Sequence, residues 1–356
     1  MFSMFNKTDS YAFYYVEEEW TNGSYPWTQR LIGYDAEKER KEVVLEIRSE
    51  NAREKRKIVA AAKAKSYLWC CYKESDEQIE IVKTDFYGKN AVVVAKTKMN
   101  GFVDKMWAND KNVYIMTGDA VYQIDSKGCM HEVLSELCTE YFCGKITESF
   151  FLLYDSYRDD AHVLIFDNDR QCCEEYSCDM KFMRNDVYSE QAWCAGVYDG
   201  KAAVIKGFGT EKGEVSGQVL YILDRTKKEW NECILWVKER DSHKSEAGNA
   251  VFAYIQTGKN ELFAQSGPVL TLFQEDCMGM FRYDVNERKR QELCVTEGWC
   301  NAEGTHIVSK SGRYVYTCVW CDRKDGYMMT EVNLDTGVRK VIVKDEGEYL
   351  ISTCEE

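Results

Sequence analysis

Along most of the chain apolar and polar residues alternate with period two, the pattern of strands with one buried face, and the alternating runs fall into a repeating unit. Each unit holds an alternating run that ends in Asp, a short polar turn, and a second alternating run. The run ending in Asp reads Leu31-Ile32-Gly33-Tyr34-Asp35, Ile81-Val82-Lys83-Thr84-Asp85, Val121-Tyr122-Gln123-Ile124-Asp125 and Val163-Leu164-Ile165-Phe166-Asp167. It returns as Leu220-Tyr221-Ile222-Leu223-Asp224, Met280-Phe281-Arg282-Tyr283-Asp284 and Glu331-Val332-Asn333-Leu334-Asp335. The six intervals from Asp35 to Asp335 average 50 residues. Repeats of roughly 40–50 residues, each with several short strands, predict the blades of a β-propeller.

The aspartates have a structural reading. Asp at a strand end accepts hydrogen bonds from backbone amides two residues on and tolerates turn geometry. Asp35, Asp85, Asp125, Asp167, Asp224, Asp284 and Asp335 are therefore read as turn residues, one per blade, and not as metal ligands. The residues that follow, such as Ser126-Lys127-Gly128, Arg225-Thr226-Lys227 and Thr336-Gly337, suit tight hairpins. In the last repeat four strands are legible: 304–309, 313–320, 327–334 and 338–343.

The first strand at the N-terminus, 11–16, matches the second strand of a blade, and 348–353 is one strand beyond a complete seventh blade. Joining the two closes the ring and removes two free sheet edges, which otherwise template aggregation. The expected fold is all-β: one seven-bladed propeller of four-stranded antiparallel blades spanning 1–356. The expected blades are 11–50 plus 348–353, 57–97, 101–137, 138–178, 189–240, 248–297 and 299–346. One stretch, 43–65, is rich in Ala, Glu, Lys and Arg, which are good helix formers, so a helical insertion competes there with a first strand at 57–65.

The runs 81–89 and 121–128 resemble the blade motifs of TolB-like and YWTD-like propellers, and most of all those of uncharacterised propeller proteins from gut clostridia. The resemblance extends over most of the chain as a pattern. It implies architecture and leaves function to be read from the site. The Gly-His and Trp-Asp pairs of WD40 repeats and the Gly-Gly pair of kelch repeats are absent from the sequence.

Composition changes this picture in three places. The formal charge of −14 opposes binding to a polyanion, so no nucleic-acid partner is expected. No apolar stretch approaches 18 residues, so no membrane span is expected. Many of the 16 cysteines sit within apolar runs, as in Leu68-Trp69-Cys70-Cys71-Tyr72, where a free thiol serves as a small hydrophobe. A cytoplasmic monomer with reduced thiols is the simpler account, with export as the alternative.

No constellation in the sequence names a reaction. The four histidines, His131, His162, His243 and His306, show no helical zinc spacing, although a propeller channel can gather histidines from separate blades, as in the oligogalacturonate lyases. Cys318-Val319-Trp320-Cys321 falls in an expected strand, where its thiols face opposite sides. Gly207 to Gly213 lacks the Gly-Lys-Ser/Thr of a phosphate loop and reads as a long hairpin. The chain is thus expected to be a non-enzymatic scaffold, without catalytic residues, metal or cofactor. It would bind a protein or peptide on the propeller's top face and channel. A carbohydrate-active propeller that cleaves or binds glycans is the alternative. Tyr25, Trp27, Trp193, Asn249, Trp299 and Asn301, in or near the rim loops, are the expected contact residues.

Overall fold

The alternating runs form strands, and the neighbouring strands of each sheet are antiparallel except for one short parallel pair at the edge of the second sheet. The computed structural model describes residues 11–20, 27–35, 38–50, 56–75, 77–99, 101–137, 142–155, 161–179, 189–209, 215–237, 263–266, 269–273, 279–284, 289–295, 306–308, 314–321, 326–333, 336, 338–344, 347–350 and 352–353. Among these there is strand and turn and no helix. The chain divides into two compact units: Met1–Thr139 with Glu346–Cys354, and Glu140–Asp345 with Glu355–Glu356.

The first unit holds three sheets. The first runs, in spatial order, Gly347–Leu350, Phe13–Trp20, Trp27–Asp35 and Arg40–Ser49. The second runs Ser352–Thr353, Lys57–Lys63, Leu68–Ser75, Gln78–Thr84 and Val92–Lys98. The third is Lys105–Ala108, Val113–Met116, Val121–Ile124 and Met130–Leu134.

The C-terminal segment therefore does not enter as the single strand expected over 348–353. Gly347–Leu350 pairs antiparallel with Phe13–Trp20, and Ser352–Thr353 pairs parallel with Lys57–Lys63 of the next sheet. The stretch 43–65 forms strands and not a helix where it is described, in Arg40–Ser49 and Lys57–Lys63. Its alanines are explained by crowding between sheets. Ala61 packs with Leu31 and Leu68 in a core shared by the first and second sheets, while its neighbour Ala62 faces a core that includes Ile115 and Ile124 of the third. A larger side chain at either place would hold the sheets apart.

Two devices fasten the first sheet to the second. The buried Gln29 amide donates from Nε2 to Ile58 O (3.0 Å) and accepts at Oε1 from Ile58 N (2.6 Å), where the strand register shifts between Ile58 and Ala60. It thereby satisfies backbone groups that the irregular ladder leaves over. The Tyr14 hydroxyl also donates to Phe86 O (3.0 Å). Between the second and third sheets the Trp69 indole N–H donates to Asn109 O (3.2 Å), while the Asn109 side chain itself accepts from Lys111 N and Asn112 N.

The second unit holds four sheets. The fourth is Phe142–Ile146, Phe150–Asp155, His162–Asp167 and Cys172–Ser177, and the fifth is Ser189–Tyr198, Lys201–Gly209, Val215–Asp224 and Glu229–Val237. The sixth is Phe263–Ser266, Val269–Phe273, Gly279–Asp284 and Lys289–Val295, and the seventh is His306–Val308, Tyr314–Cys321, Gly326–Asn333 and Arg339–Lys344. The fifth sheet grips the fourth through Arg225, which donates to Asp167 and Glu174, and through the Trp230 indole, which donates to Ser177 O at 3.0 Å.

The hairpin between the third and fourth strands comes in two forms. In the second and third sheets Asp85 and Asp125 each accept at Oδ1 from the amides two and four residues on, and a glycine at the third following position, Gly88 or Gly128, takes a positive φ. In the first, fourth and fifth sheets the Asp accepts from the amide three residues on, and the residue after that is left-handed: Glu39, Gln171 or Lys228. In the seventh sheet Asn333 holds this place, accepting from Thr336 N at 3.0 Å. Asp284 ends the third strand of the sixth sheet, and Asp335 lies outside the described residues.

Candidate functional site

The described residues are mostly committed to the framework, so the informative surface is where large apolar side chains are left exposed. The most exposed of these is Phe102, at 77%. It stands in the link from the fourth strand of the second sheet to the first strand of the third. The link is tied at both ends: Met99 N donates to Glu77 O (2.8 Å), in the turn between the second and third strands, and Asp104 N donates to Met116 O (2.9 Å). Gly101 has φ +97 with open space around it, and Val103 turns inward against the core. Phe102 is consequently turned out, and its ring has the Lys73 ammonium 4.8 Å from its centroid.

A charged network adjoins it at the same end of the second sheet. Arg56 lies over the Tyr72 ring at 4.5 Å and donates to Glu80 Oε1 at 2.7 Å. Lys96 bonds to both Glu74 and Glu80. Burial pushes the Glu80 carboxyl up, but its contacts with Lys96, Glu74 and Arg56 outweigh this and hold it below the usual range. Glu80 is thus a buried carboxylate held between two cations. The combination is an aromatic side chain presented on a fixed loop, beside a salt-bridged rim.

Of the expected contact residues, Trp27 and Trp193 are described. Trp27 begins the third strand of the first sheet and is 6% exposed. Trp193 is 3% exposed in the first strand of the fifth sheet, its ring 5.5 Å from that of Tyr154. Both indoles are buried, so neither presents an exposed face. Tyr25, Asn249, Trp299 and Asn301 lie outside the described residues. Phe102 was not legible as a contact residue: its only sequence signal is an aromatic directly after the turn dipeptide Asn100-Gly101, out of step with the alternation on either side.

The remaining motifs resolve locally. Gly207 and Gly209 end the second strand of the fifth sheet, pairing across to Gln218 and Val215, so that Gly-rich stretch belongs to a hairpin. Cys318 and Cys321 lie within the strand Tyr314–Cys321. His162 pairs at 3.5 Å with Glu175 on the neighbouring strand. Cys70, Cys71, Cys129, Cys172, Cys173 and Cys178 are free thiols, and burial pushes Cys71 up to about 12 and Cys70 higher still. In the third sheet's hairpin, Asp125, Cys129 and His131 come together.

No protein-family model matches the sequence, and no curated protein matches it. Solved structures do. A proposed 6-phosphogluconolactonase from Bacteroides fragilis is 15% identical with a TM-score of 0.52, over 97% of this chain and 98% of its own. A quinoprotein alcohol dehydrogenase-like protein from Bacteroides thetaiotaomicron is 10% identical with a TM-score of 0.51, over 95% and 91%. TolB from Acinetobacter baumannii is 13% identical with a TM-score of 0.46, over 95% and 81%. These are β-propeller proteins. At such identities the likeness to the two Bacteroides proteins shows fold alone: the chain has a β-propeller-like architecture.

Proposed function

We propose that the chain is a non-enzymatic binding scaffold that takes a protein or peptide partner on the end of the sheets where Phe102 stands. The seven sheets serve as seven blades of one ring, closed by the C-terminal segment, and the links entering each first strand, with the hairpins joining second to third strands, make up the binding rim. The observation that carries the reading is Phe102, 77% exposed on a loop whose two ends are hydrogen-bonded in place. An aromatic side chain held rigidly in water loses little entropy on binding, which makes it an efficient contact anchor. Beside it Arg56, Lys96, Glu74 and Glu80 are paired with one another, so covering these four with a partner leaves no new unpaired charge among them. Tyr25, Asn249, Trp299 and Asn301 are the further contacts expected on the same rim.

A photo-crosslinking residue at position 102, compared with one at Tyr87 in the opposite hairpin, tests the reading in host-cell extract. The expected result is one dominant protein adduct from position 102 and none from 87. That partner, purified, should bind Phe102→Ala at least tenfold more weakly, about 1.4 kcal/mol or more. Adducts from 87 alone, or an unchanged binding constant for Phe102→Ala, would overturn the choice of face. Retention on a glycan array with no protein adduct would favour the carbohydrate-binding alternative.

A further inference from the structure

The third sheet's hairpin carries a donor set that its fold does not require. Asp125 directly follows the third strand, and its Oδ1 accepts from Lys127 N (2.8 Å) and Cys129 N (2.9 Å). Asp125 N donates to Cys129 O (3.1 Å), and Gly128 N to Asp125 O (3.0 Å), with Gly128 at φ +81. Asp125 and Cys129 therefore face each other across the neck of the turn. His131 lies two residues further along the fourth strand, opposite Gln123. Cys129 immediately precedes that strand, Met130–Leu134. A carboxylate oxygen of Asp125, Cys129 Sγ and a ring nitrogen of His131 all lie within 4.8 Å of one another.

The second sheet supplies an internal control. Its hairpin at Asp85 has the same hydrogen bonds and the same positive-φ glycine, Gly88. At the positions of Cys129 and His131 it carries Lys89 and Ala91. The turn thus needs only its Asp and its Gly. The thiol and imidazole of the third sheet are additions to a scaffold already complete. Cys129 and His131 are exposed, so both are open to solvent. Among the described residues the second carboxylate oxygen, Oδ2, takes no hydrogen bond, which leaves it available as a ligand.

We propose that Asp125, Cys129 and His131 form a three-ligand binding site for zinc or a similar transition-metal ion. Thiolate, imidazole and carboxylate together match the borderline-soft character of Zn²⁺, and three protein ligands leave a fourth position for water or an outside ligand. Donor atoms around a tetrahedral zinc sit roughly 3.3–3.8 Å apart, by its bond lengths and angles. Closing the present set needs a rotation of about an ångström by exposed side chains, with the backbone already in register. On binding, the Cys129 thiol gives its proton to solvent as the sulfur–metal bond forms. The net charge of −14 favours cation approach, while the nearby Lys127 opposes it.

Co²⁺ reads this directly, because thiolate ligation adds a charge-transfer band and a tetrahedral site adds strong ligand-field bands. The full chain, reduced and stripped of metal, is titrated with Co²⁺ and then with Zn²⁺. One equivalent should bind with both signatures, and Zn²⁺ should displace it. Cys129→Ser should lose the charge-transfer band, and His131→Ala should weaken binding at least tenfold. Asp125→Asn, which keeps an acceptor oxygen for the turn as Asn333 does in the seventh sheet, should also weaken binding while the melting temperature holds. The absence of the charge-transfer band would overturn the site. So would a Cys129→Ser/His131→Ala double variant that binds Co²⁺ as tightly as the parent chain, since the ion would then be held by other thiols.

Discussion

At the scale of single residues, the two hairpin forms respond differently to glycine. A Cβ on Gly88 would lie 2.0 Å from Val44 O in the first sheet, and one on Gly128 would lie 2.2 Å from Val94 O in the second. Each glycine also has a positive φ, of 74° and 81°. Gly88→Ala and Gly128→Ala therefore combine backbone strain with a collision against a neighbouring sheet's carbonyl. We expect each to cost about 2–4 kcal/mol in denaturant unfolding. Glu39, Gln171 and Lys228 are left-handed without being glycine, with φ of 50°, 54° and 58°. Replacing one of these by Gly relieves roughly 1 kcal/mol of strain but restores a similar amount of unfolded-state entropy. Those three variants should stay within about 0.5 kcal/mol of the parent. Equal responses from the two groups would show that the turn classes are not distinct.

Turn chemistry was the most readable feature of the sequence because Asp before a polar hairpin has few competing explanations. In the seventh sheet Asn333 does by an amide oxygen what the aspartates of the first, fourth and fifth sheets do with a carboxylate, while Asp335 lies outside the described residues. The Asp125 cluster was missed. Reading Asp125 as a turn residue gave no reason to join it to Cys129 and His131, and only the folded geometry brings the three together.

At the scale of elements, the fourth and fifth sheets are joined by one shared cation. Arg225 donates to Asp167 Oδ2 and Glu174 Oε2, both at 2.8 Å, and the Tyr176 hydroxyl also donates to Glu174. For Asp167, burial pushes the carboxyl up, but amide donation by Arg170, the Arg225 guanidinium and the amide of Asp169 together hold it below the usual range. For Glu174 the Arg225 guanidinium is the main cause of a downward shift. A depressed folded-state value means the unfolded chain takes up these protons first. The stability they contribute is full above the ordinary carboxylate range, at about pH 4–4.5, and is lost as pH falls through and below it. Arg225→Met should cost about 1–3 kcal/mol at neutral pH and flatten the acid limb of the stability profile between roughly pH 5 and 3. A parallel loss at every pH would mean that Arg225 acts through packing alone.

The strands of this region were legible from alternation, but their partners were not, since nothing in a local window says which sheet receives the end of a long side chain. The same limit explains the stretch 43–65. Its Ala, Lys and Glu favour a helix in isolation, and the strand Lys57–Lys63 prevails because its ladder with Leu68–Ser75 and the crowding around Ala61 and Ala62 lie outside any local window.

At the scale of the whole molecule, the account rests on the two ends of the chain meeting. Gly347–Leu350 covers the edge of Phe13–Trp20, with Tyr15 opposite Leu350 and Glu17 opposite Gly347. Ser352–Thr353 then covers the edge of Lys57–Lys63. The pairing of a C-terminal strand beside the first N-terminal strand was legible from a missing strand at one end and a surplus strand at the other. Its division between two sheets was not, because strand propensity does not report where a short segment changes partners. Removing residues 347–356 would bare two sheet edges at once, withdrawing a row of backbone hydrogen bonds from each. The most direct test is calorimetric unfolding of that truncation beside the full chain, with light scattering on the same samples. The account predicts a loss of roughly 2–4 kcal/mol, a melting temperature lower by about 5 °C or more, and the onset of self-association. An unchanged transition in a monomeric, non-aggregating truncation would contradict it.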